Sequence, residues 1–130
     1  MPSAAIRFDH IHLRSPDPEA TAGWFAEMLG AEVLRSAPHG QPRIDLKLGG
    51  LDIFIAPVPA GDASVGAPPR TPHQGLDHFG FAVPDLDAAV AALKAKGVAF
   101  TLDPKEMRPG LRIAFLRGPE GISIELLQRD

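Results

Sequence analysis

The sequence predicts an α+β fold made of two copies of a βαβββ module, and three observations predict it. The stretch FDHIHLRSPDPEATAGWFAEMLGAEVL, opening at Phe8, is echoed by LDHFGFAVPDLDAAVAALKAKGVAF, opening at Leu76. The period is about 68 residues (positions 8 and 76), longer than that of solenoid repeats. In both copies an apolar residue and Asp-His lead through alternating residues to Pro-Asp, at Pro16-Asp17 and Pro84-Asp85. In both, a helical pattern then ends in glycine, at Gly30 and Gly97. Residue type, order and spacing agree together, which marks two copies of one supersecondary unit.

Taken in order, residues about 7–14 and 76–83 alternate and read as the opening strand of each copy. Asp17 and Asp85 stand where a helix begins, where an acid suits either the N-cap or the positive end of the helix dipole. Trp24, Phe25, Met28 and Leu29 recur at helical spacing in the first copy, and Leu86, Val90 and Leu93 in the second; these are core candidates. Strands are expected at about 31–35, 43–48 and 51–56, and again at about 98–102, 111–117 and 122–128. Gly49-Gly50 and Gly118-Pro119-Glu120-Gly121 are hairpin turns between the last two strands of each copy. Residues 57–74, PVPAGDASVGAPPRTPHQ, read as a loop, either a plain linker or a flap over the site. The expected organisation is one domain over 1–130, with modules at about 7–56 and 75–130.

A chain of 130 residues suits one compact domain burying roughly two thirds of its unfolded surface. A formal charge of -3 leaves no basic stripe, so nucleic acid and anionic membrane are not expected partners. The absence of cysteine excludes disulfides, zinc-thiolate sites and thiol nucleophiles, and fits a reducing compartment. Met1 to Arg7 lacks the apolar core of a signal peptide, and no apolar run is long enough to span a bilayer. A cytoplasmic location is the resulting expectation.

Side chains on a strand alternate between two faces. In the first strand Ile11 and Leu13 share one face and His10, His12 and Arg14 the other. In the fifth, Phe79, Phe81 and Val83 oppose His78, Gly80 and Ala82. In the last, Ile122, Ile124 and Leu126 oppose Ser123, Glu125 and Leu127. The uniformly apolar face of each should pack on the helix of its own copy, leaving histidine, arginine and glutamate on the other. Two imidazoles and one carboxylate, His10, His78 and Glu125, form a donor set for one divalent ion such as Fe, Zn, Ni, Co or Mn. Three protein ligands leave positions open for water or substrate. Glu125 in the apolar run ISIELL would be costly to bury without a partner. His39 and His73, in proline-rich stretches, are expected in solvent.

The motifs DHIHLRSPD with its following helix and LG, GLDHFGFAVPDLDAAVAALKAKGV, and RGPEGISIELLQ resemble the vicinal oxygen chelate superfamily. That group includes glyoxalase I, methylmalonyl-CoA epimerase, extradiol ring-cleaving dioxygenases, fosfomycin-resistance transferases and bleomycin-binding proteins. The resemblance implies paired βαβββ modules curling into a half-barrel around a metal, a homodimer, and metal ligands at His10, His78 and Glu125. Glyoxalase I and the epimerase use a fourth protein ligand; matching LDIFIAP to ISIELLQ places Phe54 there, which cannot bind a metal and is expected against substrate instead. Asp52 lies on the same face two residues earlier, a displacement of roughly 7 Å along a strand. The remaining triad resembles that of the ring-cleaving dioxygenases, but those also use a tyrosine near the site and this chain has none.

His12 reads either as a proton-transfer group, paired with Glu125 as candidate base, or as a polar residue lining the cavity. Arg14 reads either as a contact for a substrate carboxylate, as in glyoxalase I-like proteins, or as half of a surface ion pair. Arg112 and Arg117 are further anion-contact candidates. The function these readings imply is metal-dependent chemistry on a small oxygen-chelating molecule, leaning to glyoxalase- or epimerase-like proton transfer. The alternatives are Fe(II)-dependent ring cleavage and non-catalytic binding of the bleomycin-resistance kind.

Overall fold

Asp17 and Asp85 settle where each helix starts, because their side chains accept the backbone N–H of Ala20 and Ala88 respectively. They are therefore true N-caps rather than mere dipole charges. In the computed structural model, which describes residues 5–130, each caps the single α-helix of its module. Residues 1–4, part of the stretch read for a leader, lie outside the described residues. The elements are β1 (Ile11–Ser15), α1 (Pro18–Leu29), β2 (Glu32–Ser36), β3 (Arg43–Leu48) and β4 (Leu51–Pro57), then β5 (Phe79–Ala82), α2 (Leu86–Ala95), β6 (Phe100–Arg108), β7 (Leu111–Arg117) and β8 (Ser123–Arg129). Each module is βαβββ, and the fold is α+β as the repeat predicts. The chain divides into two compact units, one ending at Val65 and the other Gly66–Asp130. That division falls inside the expected linker.

Each unit holds one mixed four-stranded sheet, in the order β1-β4-β3-β2 in the first and β5-β8-β7-β6 in the second. The opening strand runs parallel to the closing strand of its own module, with Ile11 beside Ile53 and Phe79 beside Ile124. This pairing shortens the expected opening strands: β1 begins at Ile11 rather than about residue 7, and β5 at Phe79 rather than 76. A ladder exists only where a neighbour supplies partners, and the β1–β4 and β5–β8 registers begin at those residues. Phe8 and Leu76, the apolar residues ahead of each Asp-His, are consequently exposed. The sixth strand, expected at about 98–102, is instead nine residues long and irregular, with register shifts against β7. Its Asp103-Pro104 interrupts any sequence pattern that would have extended it.

Helix α1 packs Phe25 and Ala22 onto Leu46, Ile53 and Ile55 of its sheet, all buried. Trp24, Met28 and Leu29 are only half-buried. Helix α2 packs Leu86, Val90 and Leu93 onto its own sheet, where Leu116, Ile124 and Leu126 are buried. A side chain of this size contributes about 1.5–3 kcal/mol when fully buried, so each module carries its own apolar core. The buried hydroxyls of Ser15 and Thr21 satisfy one another at 2.7 Å, and Ser15 also accepts the Asp17 N–H, tying the strand end to the helix start. Between β3 and β4, Gly49 and Gly50 both have positive φ (57° and 85°), as a two-residue hairpin turn of the primed type requires.

Candidate functional site

Because alternation places His12 and Arg14 on the face of β1 away from its helix, the register decides what lies beside them. His12 is opposite Phe54, and Phe54 is opposite Asp45. In the second unit the equivalent position pairs Gly80 with Glu125, and Glu125 with Phe115. Phe54 and Glu125 therefore hold the same place in the two modules, as the match of LDIFIAP to ISIELLQ requires.

His10 sits one residue before β1 in the first unit, with its ring stacked on Phe54 at 3.9 Å between centroids. Its Nδ1 donates to Asp9 Oδ2 at 2.7 Å, since a carboxylate can only accept. Asp9 itself is 83% exposed. The Arg43 guanidinium lies over the other ring of that stack, 4.7 Å from the Phe54 centroid, while its Nε donates to Asp45 at 2.7 Å. Asp45 keeps a second carboxylate oxygen buried with no hydrogen-bond partner among the described residues. His12 is exposed, its ring centroid 6.5 Å from that of His10. Arg14 is exposed, with the carboxylate of Asp62 near enough to feel its charge. Asp52 is tied to Lys47 at 2.8 Å.

In the second unit His78 sits one residue before β5. Its Nδ1 donates to Asp77 Oδ2 at 2.8 Å, its Nε2 stands 3.3 Å from Glu125 Oε1, and the edge of Phe115 meets its ring. The Glu125 side chain is only 17% exposed. Gly80 makes room for it: a Cβ there would stand 3.3 Å from the Glu125 Cβ and carbonyl oxygen. Asp77 is the most heavily bonded acid of the site. Its Oδ1 accepts the Thr71 hydroxyl at 2.6 Å and the His73 N–H at 3.0 Å. The Thr71 hydroxyl, then His78, then the His73 N–H hold its carboxyl well below the usual carboxylate range.

Of the residues expected from sequence, the structure brings His78 and Glu125 together. His10 lies in the first unit. No group of three or more His, Asp and Glu side chains placed to hold a metal occurs among the described residues. Arg112, expected to meet an anion of the substrate, lies instead on the helix-facing side of β7, where both its amino groups donate to Asp87 at 2.9 Å. Alternation against Phe115 carries that information, because 112 and 115 fall on opposite faces. Arg117 donates to the carbonyl of Gly121. His39 is exposed as expected; His73 is half-buried, its backbone on Asp77 and its ring on the carbonyl of Gln74. Thr71 and the two aspartates preceding the histidines were missed as functional groups. The Asp-His pair in each copy was the available signal, read as a repeat marker rather than as a hydrogen bond.

The family model described as Glyoxalase/Bleomycin resistance protein/Dioxygenase superfamily matches residues 7–126. The chain is 32% identical to an ethylmalonyl-CoA/methylmalonyl-CoA epimerase of Cereibacter sphaeroides, with 94% of this chain and 97% of that protein covered. It is 28% identical to an Arabidopsis thaliana protein named "Probable lactoylglutathione lyase, chloroplastic", over 95% of this chain but only 36% of that longer protein. Among solved structures, a glyoxylase/bleomycin resistance protein/dioxygenase domain from Frankia sp. EAN1pec superposes with a TM-score of 0.74 at 26% identity, covering 96% of this chain and 98% of that one. No helix of the described residues is long and apolar enough to cross a membrane.

Proposed function

Because the chain belongs to the glyoxalase/bleomycin resistance protein/dioxygenase superfamily, we propose that it is a metal-dependent enzyme of lyase or isomerase type, moving a proton at carbon in a small oxygen-chelating substrate. The observation that carries this reading is the pair formed by His78 and Glu125. With its Nδ1 hydrogen given to Asp77, a neutral His78 presents a bare lone pair on Nε2, and a carboxylate offering further lone pairs stands 3.3 Å away. Only a proton or a cation between them relieves that repulsion. Two ligands of one first-row cation, each about 2.1 Å from it at an angle of roughly 90–110°, stand about 3.0–3.4 Å apart. The pair therefore fits one divalent ion, Fe, Zn, Ni, Co or Mn. His10, whose Nδ1 is bonded to the preceding aspartate in the same way, is the third donor that the repeat and the family resemblance imply.

When bound, the ion would supply Lewis-acid stabilisation of negative charge on a substrate oxygen. The side chains do the rest. His12, exposed and opposite Phe54, takes a proton from the substrate carbon next to a carbonyl and returns it, with Glu125 as the alternative base. Arg14, which has no hydrogen-bonded partner to surrender among the described residues, meets a substrate carboxylate, and Phe54 gives an apolar wall. Arg112 would have to leave Asp87 to take part and has no role here. The names of the epimerase and lyase relatives favour proton transfer. The reading includes a homodimer and a cytoplasmic location.

Elemental analysis of the purified protein, with anaerobic assays on thioester and hemithioacetal substrates, tests it. Turnover without O₂ in the presence of Ni, Co or Zn is the expected result. A protein that stays metal-free at micromolar added metal overturns the reading in favour of simple binding. One observation favours a second reading: Phe54 occupies the place of a fourth donor, leaving the two-histidine, one-carboxylate set of Fe(II) oxygenases. O₂ consumption that requires Fe(II) would establish it in place of the first.

A further inference from the structure

Two copies of Asp-His are treated differently by their surroundings. Asp9 is exposed and, among the described residues, bonds only to His10. Asp77 is gripped on both oxygens: Thr71 Oγ1 and the His73 N–H converge on Oδ1, and Oδ2 is left for His78 Nδ1. Both gripping groups come from the proline-rich segment that precedes the second module. We propose that Thr71 is a positioning residue for His78, fixing the Asp77 carboxylate so that His78 holds its hydrogen on Nδ1 and keeps Nε2 open toward Glu125.

The physical argument rests on directionality. A free carboxylate turns about its Cβ–Cγ bond and can offer either oxygen to a neighbour, or neither. A short hydroxyl bond and a backbone N–H on one oxygen remove that freedom, so the second oxygen stays turned toward His78 Nδ1. A partner fixed in this manner selects one tautomer and one ring orientation, and the loss of such partners typically weakens metal binding by about 10–100-fold. The segment 71–73 is thus a buttress of the site and not simply a tether. This inference rests on the reading of His78 as a ligand, but its first test does not.

Full-length protein labelled with ¹⁵N, free of metal and followed over a pH series, shows directly which ring nitrogen of each histidine carries hydrogen; the His78 signals are those lost in His78→Gln. Wild type should show the Nδ1–H form at His78. Thr71→Val, which keeps the shape and removes the hydroxyl, should move it to Nε2–H or a mixture, and Thr71→Ser should restore it. In parallel, Zn or Ni affinity should fall roughly 10-fold in Thr71→Val and return to within about threefold in Thr71→Ser. Should Thr71→Val fail to fold, Thr71→Ala gives the same readings. An unchanged tautomer in Thr71→Val or Thr71→Ala, or a Thr71→Ser protein no better than Thr71→Val, overturns the proposal. If the tautomer responds but wild type binds no metal, the clamp stands and the metal reading falls. If wild type binds metal but the tautomer ignores Thr71, the reverse holds.

Discussion

At the scale of single residues the chemistry depends on which nitrogen carries a hydrogen and on how much room a carboxylate has. If His78 and Glu125 share a cation, His78→Ala should abolish bound metal in elemental analysis; unchanged metal content would place the ligands elsewhere. Gly80 offers a sharper test of geometry. A methyl group there crowds the Glu125 Cβ and its backbone oxygen, both at 3.3 Å, and neither is a flexible side-chain end. Gly80→Ala should lower stability by about 1 kcal/mol through overpacking and loosen metal retention with it. Gly23, in the middle of α1 with nothing among the described residues within 4 Å of an added Cβ, is the control: Gly23→Ala should raise stability by roughly 0.5–1 kcal/mol. Thermal melts of the two variants should move in opposite directions. That His78 and Glu125 face the same side was legible in the sequence because alternation sorts a strand into faces. Thr71 was not, because a bond from an irregular segment to a residue six positions on leaves no periodic trace.

At the scale of elements, both helices are anchored by one scheme. The cap is Asp17 or Asp85, and the acid two positions later reaches an arginine of the sheet: Glu19 to Arg35 on β2, and Asp87 to Arg112 on β7. The caps were readable from Pro-Asp followed by apolar residues at helical spacing. The arginine partners were not, since one comes from the strand after the helix and the other from a later strand. Removing either cap, by Asp17→Ala or Asp85→Ala, should cost about 1 kcal/mol in denaturant unfolding. The arginines hold the Glu19 and Asp87 carboxyls below their ordinary values. A carboxyl lowered on folding adds stability above its unfolded pKa, near pH 4, and that stability fades as the pH falls through the lower folded value. The melting-temperature gap between wild type and Asp87→Asn should therefore be widest near neutrality and narrow in acid; a gap that grew on acidification would contradict the pairing. Strand ends were the least readable part. The opening strands begin later than alternation suggests because their ladders to β4 and β8 begin later, and alternation says nothing of partners.

At the scale of the whole molecule the repeat carried the fold: two similar stretches gave two βαβββ units before any contact was known. A bound cation belongs to this scale as well, because ligands that hold it only when folded tie metal binding to global stability. At a metal concentration about 100 times Kd the folded state should gain about 2.7 kcal/mol, seen as a rise of several degrees in the melting temperature. The rise should vanish in His78→Ala. The shared register has a further consequence. His12 beside Phe54 and Gly80 beside Glu125 are two sockets of one mould, one fitted with a ring and the other with an acid. Exchange of their contents needs no new backbone. A lineage carrying this duplicated frame can set a ring or a carboxylate at either place by changing a single codon.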